Sequence, residues 1–226
     1  PLYIFAAILL TIPGMAQQIA TGNHATVKRP QVNSAATRQA PAPVNSAAVT
    51  IFAEDFSTGL PGTWTVTDNV SSGEVWVGTN SGTLNGGVLN PAGSSAANGY
   101  VMFDSDGPGQ STPAENCDLI SPSINCTGNT QVFLSFNEFF TEYQNDSAYV
   151  SISNDGVTWT SFYSPDAALS QDQSTANPHL VLLDVSTVAA NMATVYIRFH
   201  WQGDWDYWWL IDDVNLFVPS PTDPLA

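Results

Sequence analysis

Positive charge is scarce in this chain of 226 residues, which has four Lys and Arg against 20 Asp and Glu and a formal net charge of −16. Three of the four basic residues precede residue 50, and Arg198 is the only one after it. All 20 acidic residues follow residue 50. Because nucleic acids and anionic membranes associate with cationic surfaces, the sequence predicts neither as a partner.

Long apolar segments are also scarce. The longest, from Leu2 to Ile12, is shorter than the roughly 20 residues that span a membrane. It is followed by Gly14-Met15-Ala16, which has small residues at the two positions that signal peptidase reads. We therefore predict that residues 1–16 are part of a secretory signal peptide. The protein is then expected to be secreted or held at the cell surface, with no membrane insertion after the signal is removed.

Large apolar residues are few in residues 17–49, where an Ala-Pro-Ala-Pro sequence favours extended backbone. This segment is predicted to be a disordered linker. Residues 219–226 contain three prolines and are predicted to begin a linker to a further region. One domain is expected between the two linkers, over residues 50–218.

Cysteine is limited to Cys117 and Cys126. Export exposes a protein to oxidising conditions, and a disulfide between these two would close a short loop and stabilise the fold by about 2–3 kcal/mol. Two separate thiols on neighbouring strands are the alternative. Neither arrangement supplies enough ligands for a metal–thiolate site.

Most of the predicted domain consists of short segments rich in β-branched and aromatic residues, separated by Gly, Ser and Asn clusters. Asn154-Asp155-Gly156 predicts a tight turn between two of them, because Asp and Gly tolerate positive φ. No amphipathic helical stretch exceeds about two turns. The sequence predicts an all-β protein, an antiparallel β-sandwich of jelly-roll type with about 10–12 strands.

A catalytic site is not indicated by the sequence. His179 and His200 lie at ends of predicted strands, but no nucleophile-elbow motif accompanies them. Among 20 acidic residues some pair always lies at the separation that glycosidases use, so such a pair has no specificity. We predict a domain without catalytic residues.

Acidic residues stand near the ends of several predicted strands. The loop from Asp104 to Glu115 matches most of the EF-hand pattern, but Pro108 occupies a ligand position and the flanking segments are strands. The first and last strands of a sandwich are commonly neighbours, so acids near the two ends of the domain are expected to meet. With Arg198 as the only base, Ca²⁺ held by oxygen atoms would compensate them; acids lying in solvent are the alternative. The predicted structural Ca²⁺ ligands are Glu54, Asp55, Asp104, Asp106 and Asp213.

Aromatic residues are concentrated near the end of the domain. Alternation along a strand places Trp208 and Trp209 on opposite faces, so at least one of them belongs to the core. Trp201 and Trp205 flank the predicted turn Gln-Gly-Asp-Trp-Asp and are expected to be exposed. Because an indole ring packs well on a sugar, Trp201, Asp204 and Trp205 are the predicted ligand-binding residues.

Six segments in order resemble one family of modules. They are FAEDFSTGLPGTWTVTDN (52–69), EVWVG (74–78), GYVMFDSDGPG (99–109), CDLISPSINCTGNTQVFLSFNEFF (117–140), NDSAYVSISNDGVTWT (145–160) and VYIRFHWQGDWDYWWLIDDVNL (195–216). Together they resemble the MAM-like jelly-roll modules of secreted bacterial proteins, of the cleaved-adhesin and choice-of-anchor J type. The resemblance implies a non-catalytic module from a large exported protein of type IX-secreting bacteria. It also implies structural calcium, with the family's acidic positions falling on Glu54-Asp55, Asp104, Asp106 and Asp212-Asp213, of which Asp213 is the predicted ligand.

These features predict a calcium-stabilised adhesion or recognition module of a larger extracellular protein. Its expected ligand is an extracellular glycan or protein. The alternative is an accessory carbohydrate- or protein-binding domain of a secreted protease or glycosidase whose catalytic domain lies outside this chain.

Overall fold

The computed structural model describes residues 48–79, 99–107, 113–144 and 146–220. The predicted signal peptide, nearly all of the predicted linker over residues 17–49, and residues 221–226 lie outside this part. Within it, no helix is long and apolar enough to cross a membrane.

Eleven strands make up nearly half of the described chain. They are β1 (Val49–Glu54), β2 (Thr65–Asp68), β3 (Val77–Thr79), β4 (Tyr100–Asp104), β5 (Glu115–Ile120), β6 (Phe133–Thr141), β7 (Ser147–Ser153), β8 (Thr160–Tyr163), β9 (His179–Asp184), β10 (Tyr196–Gly203) and β11 (Trp208–Val218). One short α-helix, α1 (Ser186–Ala189), and one 3₁₀ turn (Asp166–Ala168) interrupt them. The predicted all-β class and strand number are confirmed.

Two antiparallel sheets face each other. The first has the order β3-β4-β11-β6-β9, with β1 also paired to β11, and the second has the order β2-β5-β10-β7-β8. Strand β11 pairs with β4 through its first half and with β1 through its second half, while β6 covers its other edge. The first and last strands are therefore neighbours, as a jelly-roll sandwich predicts.

Aromatic side chains fill the space between the sheets. Phe199 of β10 is fully buried, and its ring lies 5.2–6.4 Å from those of Trp64, Trp76, Phe136 and Trp209. Alternation in β10 and β11 directs every second residue into this core. As predicted, Trp209 belongs to the core, whereas Trp208 packs in a smaller cluster with Leu210.

A β-bulge interrupts β11 at Asp213. Asp212 lies opposite Asn137 and Asn215 opposite Ser135, so two residues of β11 face one residue of β6, and Asp213 has φ 50°. Alternation restarts after the bulge, and Val214 enters the core. Regular alternation along β11 would place Asp213 on the face of Trp209, and the bulge prevents this.

The two cysteines are free thiols in the structure, and the predicted disulfide is not formed. Cys117 lies opposite Trp201 on β10, whereas Ile124, two residues before Cys126, lies opposite Val195. Trp201 and Val195, which immediately precedes β10, are about 20 Å apart along the extended chain, while a disulfide needs Cα atoms within about 7 Å. Burial raises the pKa of Cys117 to about 12, so this thiol stays protonated.

Candidate ligand-binding face

The outward face of the second sheet carries a row of polar and aromatic side chains. His200 of β10 lies opposite Asp118 of β5 on one side and Tyr149 of β7 on the other, and Thr67 of β2 continues the row beyond Asp118. Residues directly opposite each other in a sheet point to the same side. This set, together with Arg198 and Trp159, is called the sheet-face cluster below.

Asp118 holds the sheet-face cluster together through hydrogen bonds. Its Oδ1 lies 2.6 Å from Nδ1 of His200, and its Oδ2 accepts a hydrogen bond of 3.0 Å from the side-chain amide of Asn69. Burial opposes ionisation of Asp118, but the bonds from His200 and Asn69 and the charge of Arg198 outweigh it and lower the pKa of this carboxyl. Asp118 is therefore an anion that orients its neighbours.

Arg198 is held between aromatic rings. Its guanidinium carbon lies 4.4 Å from the ring centroid of Trp159 and 5.6 Å from that of Tyr149, distances typical of cation–π contacts. The Tyr149 ring in turn stacks on the imidazole of His200 at 4.3 Å. The only Lys or Arg in the described residues thus lies on this face.

Two nitrogen atoms of the sheet-face cluster keep unused hydrogen-bonding capacity. Nε of Arg198 lies 3.7 Å from Asp118, too far for a hydrogen bond, and Nε2 of His200 makes none either. Leaving such groups without a partner is costly. Both nitrogens are buried, so the groups that this face presents to solvent are the rings of Tyr149 and Trp159 and the partly exposed Arg198.

Trp201 does not belong to an exposed site, and its prediction as a ligand-binding residue is wrong. It is fully buried, stacks on Phe103 at 5.1 Å and donates a 2.9 Å hydrogen bond to Glu115. The reason is that β10 continues to Gly203, so Trp201 keeps the inward orientation of Phe199.

Trp205 lies in the connection between β10 and β11. It is 39% exposed and has φ 57°, and the Gln144 side chain donates a hydrogen bond to its carbonyl. Asp204 beside it is partly exposed. The predicted exposure of Trp205 is confirmed.

Two of the predicted Ca²⁺ ligands lie close together where β1 meets β11. Glu54 is opposite Val214, the residue after Asp213. Its Oε1 accepts a hydrogen bond from the backbone of Phe56, while Asp213 accepts one from Asn137. Phe56, with φ 48°, and Asp213 both adopt the left-handed conformation, which is unfavourable for such residues and recurs at functional sites.

The other predicted ligands lie elsewhere. Asp55 is exposed and accepts a hydrogen bond from the Ser57 backbone. Asp104 is opposite Trp208, about 17 Å along β11 from Asp213, and Asp106 follows it. The five predicted residues therefore cannot surround one ion. In the part of the chain that the structure describes, no group of three or more acidic, His or Cys side chains has an arrangement that could hold a metal ion.

Sequence reasoning missed the sheet-face cluster. Its signal was present in Arg-Phe-His-Trp-Gln, residues 198–202, where polar and aromatic residues alternate. The partners Asp118 and Tyr149 come from strands about 80 and 50 positions earlier, and only the sheet register brings them to His200.

The chain matches no protein-family model and no curated protein sequence. Solved structures do share its fold. The K1 cleaved adhesin domain of Lys-gingipain from Porphyromonas gingivalis W83 has a TM-score of 0.53 at 19% identity, over 75% of this chain and 98% of that one. The K3 cleaved adhesin domain of the same protein has a TM-score of 0.53 at 18% identity, over 76% of this chain and 99% of that one. The K2 cleaved adhesin domain of Lys-gingipain has a TM-score of 0.50 at 19% identity, over 73% of this chain and 96% of that one.

The fold is therefore a jelly-roll sandwich like that of the cleaved adhesin domains, as the resemblance in the sequence indicated.

Proposed function

We propose that this domain is a non-catalytic module of a secreted or cell-surface protein that binds a glycan on the sheet-face cluster. The observation that carries the proposal is Arg198, which lies partly exposed between the partly exposed rings of Trp159 and Tyr149 on the outer face of the sheet. Sugar sites combine apolar ring surface with a few precisely placed polar groups. The description of the structural neighbours as adhesin domains supports attachment rather than catalysis.

A neutral glycan suits this face better than an acidic one. The positive charge of Arg198 is offset by Asp118 at 3.7 Å, and the chain has a net charge of −16. An anionic ligand would be repelled at long range. Hydroxyl groups meet no such barrier and can accept hydrogen bonds from Arg198.

Trp159→Ala is expected to weaken glycan binding at least about tenfold, because it removes one ring from the face and loosens Arg198. The measurement is a glycan array with the wild-type protein, followed by calorimetric titration with the glycan that binds best. Trp205→Ala is the matched control, since it removes another partly exposed indole away from the sheet.

The outcomes of that comparison are distinct. Loss of affinity in Trp159→Ala with unchanged affinity in Trp205→Ala supports the sheet-face cluster. Loss of affinity in Trp205→Ala with unchanged affinity in Trp159→Ala would place the site in the loop that carries Asp204 and Trp205. No binding by the wild type to neutral or acidic glycans would refute a glycan ligand.

The proposal includes a structural Ca²⁺ held by Glu54 and Asp213. Their pairing across β1 and β11 and the left-handed backbone at Phe56 and Asp213 support it. Two backbone segments also pack closely there, because a Cβ atom at Gly99, which has φ 135°, would lie 2.4 Å from the Phe56 carbonyl oxygen. A bound Ca²⁺ would supply positive charge beside two carboxylates and fix β1 to the last strand.

Chelation of Ca²⁺ is expected to lower the melting temperature by about 5–10 °C, since an ion at 100 times its Kd stabilises by about 2.7 kcal/mol. Calorimetry with CaCl₂ and with EDTA measures this. Asp213→Asn is expected to reduce the shift, whereas Asp184→Asn, an exposed acid on β9, leaves it unchanged. Equal shifts in all three proteins would contradict the assignment to Asp213.

A further inference from the structure

Three aromatic side chains are in contact beside the outer face of the first sheet, where β11 begins. They are Tyr143, two residues after β6, Tyr207, directly before β11, and Trp208, the first residue of β11. The ring centroid of Tyr207 lies 4.9 Å from that of Tyr143 and 4.9 Å from that of Trp208. Trp208 also packs on Leu210, in a cluster separate from the core between the sheets. All three rings are partly exposed, so solvent or a ligand can reach them.

Three carboxyl groups border these rings. Asp104 of β4 lies opposite Trp208, so the two side chains point to the same side of the sheet. The backbone amide of Asp106 donates a 3.2 Å hydrogen bond to the carbonyl of Tyr207. Asp172, which is exposed, accepts a 3.4 Å hydrogen bond from the Tyr207 hydroxyl. We call this set the aromatic-acidic surface; it consists of Tyr143, Tyr207, Trp208, Asp104, Asp106 and Asp172.

No Lys or Arg side chain in the described segments compensates these carboxyl groups. Arg198 is the only such residue there, and it lies on the outer face of the other sheet, 3.7 Å from Asp118. Burial first, and then the charges of nearby acids with Asp172 foremost, raise the pKa of Tyr207. The exposed rings therefore lie in a region of negative potential.

The chemistry of the aromatic-acidic surface favours an organic cation. The face of an aromatic ring attracts ammonium and guanidinium groups, and carboxylates form ion pairs with the same groups. A metal ion is a poorer fit, because no group of three or more acidic, His or Cys side chains in the described part of the chain could hold one. Anions are repelled by the net charge of −16. Lys and Arg side chains of another protein carry cations of the favoured kind.

The width of the surface fits more than one basic side chain. It extends from β4 across β11 to the end of β6, which is two strand spacings or about 10 Å. Alternate residues of an extended peptide project to the same side about 7 Å apart. Two such side chains can therefore contact the surface at once.

We propose that the aromatic-acidic surface binds a Lys- or Arg-rich segment of a protein partner. The cationic groups lie against the rings of Tyr207 and Trp208 and pair with the neighbouring carboxylates. The sheet-face cluster belongs to the second sheet, whereas this surface belongs to the first. The outer faces of a sandwich point away from each other, so a basic partner leaves the sheet-face cluster accessible. The proposal does not depend on the glycan.

Calorimetric titration of the full chain with a hexalysine peptide tests the contribution of the rings. The buffer contains about 0.15 M salt, which screens the long-range attraction between a cationic peptide and an acidic protein. Tyr207→Leu is expected to weaken binding at least about threefold, since it keeps an apolar side chain but removes the ring. Tyr196→Leu is the matched control, because Tyr196 is also partly exposed but lies on β10, and it is expected to bind like wild type.

The same titration tests the contribution of charge with Asp172→Asn and Asp184→Asn, each of which removes one exposed acid. Asp172→Asn is expected to weaken hexalysine binding at least about threefold, and Asp184→Asn by clearly less. Equal affinities within either matched pair would show that the peptide responds only to net charge, which would overturn the proposal. Absence of binding by the wild type would overturn it as well. Tyr143→Leu replaces Tyr207→Leu if the latter does not melt cooperatively.

Discussion

Phe199→Ala is expected to lower the free energy of unfolding by about 3–5 kcal/mol, the range typical of large aromatic residues removed from a packed core. Phe199 is fully buried and contacts four aromatic rings, two on strands of the opposite sheet and two immediately before β2 and β3. Alanine would leave a cavity that rigid neighbours such as Trp64 and Trp209 cannot fill. Since domains of this size are stable by about 5–15 kcal/mol, the loss is a large fraction of the total.

Urea denaturation measures this difference, and Phe139→Ala is the matched control. Phe139 is only partly buried and packs on the outer side of the first sheet with Leu210. Phe139→Ala is expected to lower the free energy of unfolding by clearly less than Phe199→Ala. A cost for Phe199→Ala no greater than for Phe139→Ala would contradict the assignment of Phe199 to the centre of the core.

Glu138→Ala is expected to destabilise the domain by a similar amount, about 3–5 kcal/mol, for an electrostatic reason. Glu138 is a buried carboxylate on the core side of β6 that accepts hydrogen bonds from Tyr163 and Trp209 and lies 2.8 Å from Nδ1 of His179. These partners come from β8, β11 and β9, so one side chain joins both sheets. Alanine would leave three polar groups without their acceptor.

A double-mutant cycle separates this effect from lost packing. Tyr163→Phe removes one donor and is expected to cost about 1–2 kcal/mol in the wild type, but little or nothing in Glu138→Ala, where its acceptor is already gone. Chemical denaturation of the four proteins provides the values. Equal costs of Tyr163→Phe in both backgrounds would show that the bond to Glu138 does not stabilise the fold.

The fold was predictable because its signals are local. Short β-rich segments and turn residues such as Asn154-Asp155-Gly156 predicted the strands, and the short connections of sandwiches predicted that the first and last strands meet. In the structure Asp155 accepts backbone hydrogen bonds from Val157 and Thr158, which is the turn chemistry that the sequence indicated.

The errors have local causes that the sequence does not show. Trp201 was expected to be exposed beside a turn at residues 202–206, but the strand continues to Gly203. Regular alternation would place Asp213 on the core face of β11, and one bulge changes that. Neither the end of a strand nor a bulge has a sharp signal in a single sequence.

The burial of several acidic side chains was not predictable for a different reason. Asp146, Asp166 and Asp206 are acids at loop positions, which usually lie in solvent. Their burial depends on tertiary contacts, and those of Asp206 reach Gln144 and Ser105, about 60 and 100 positions away. Charge composition indicated a cation, but only the tertiary structure locates where uncompensated charge accumulates.

The pairing of β1 with β11 also determines how the module responds to tension. Val49 lies opposite Val218, so the two ends of the domain are side by side. A pull on the flanking chain is applied at one end of a single antiparallel ladder, and its hydrogen bonds separate one after another. The rest of the sandwich, including the sheet-face cluster, carries none of this load until β1 has detached.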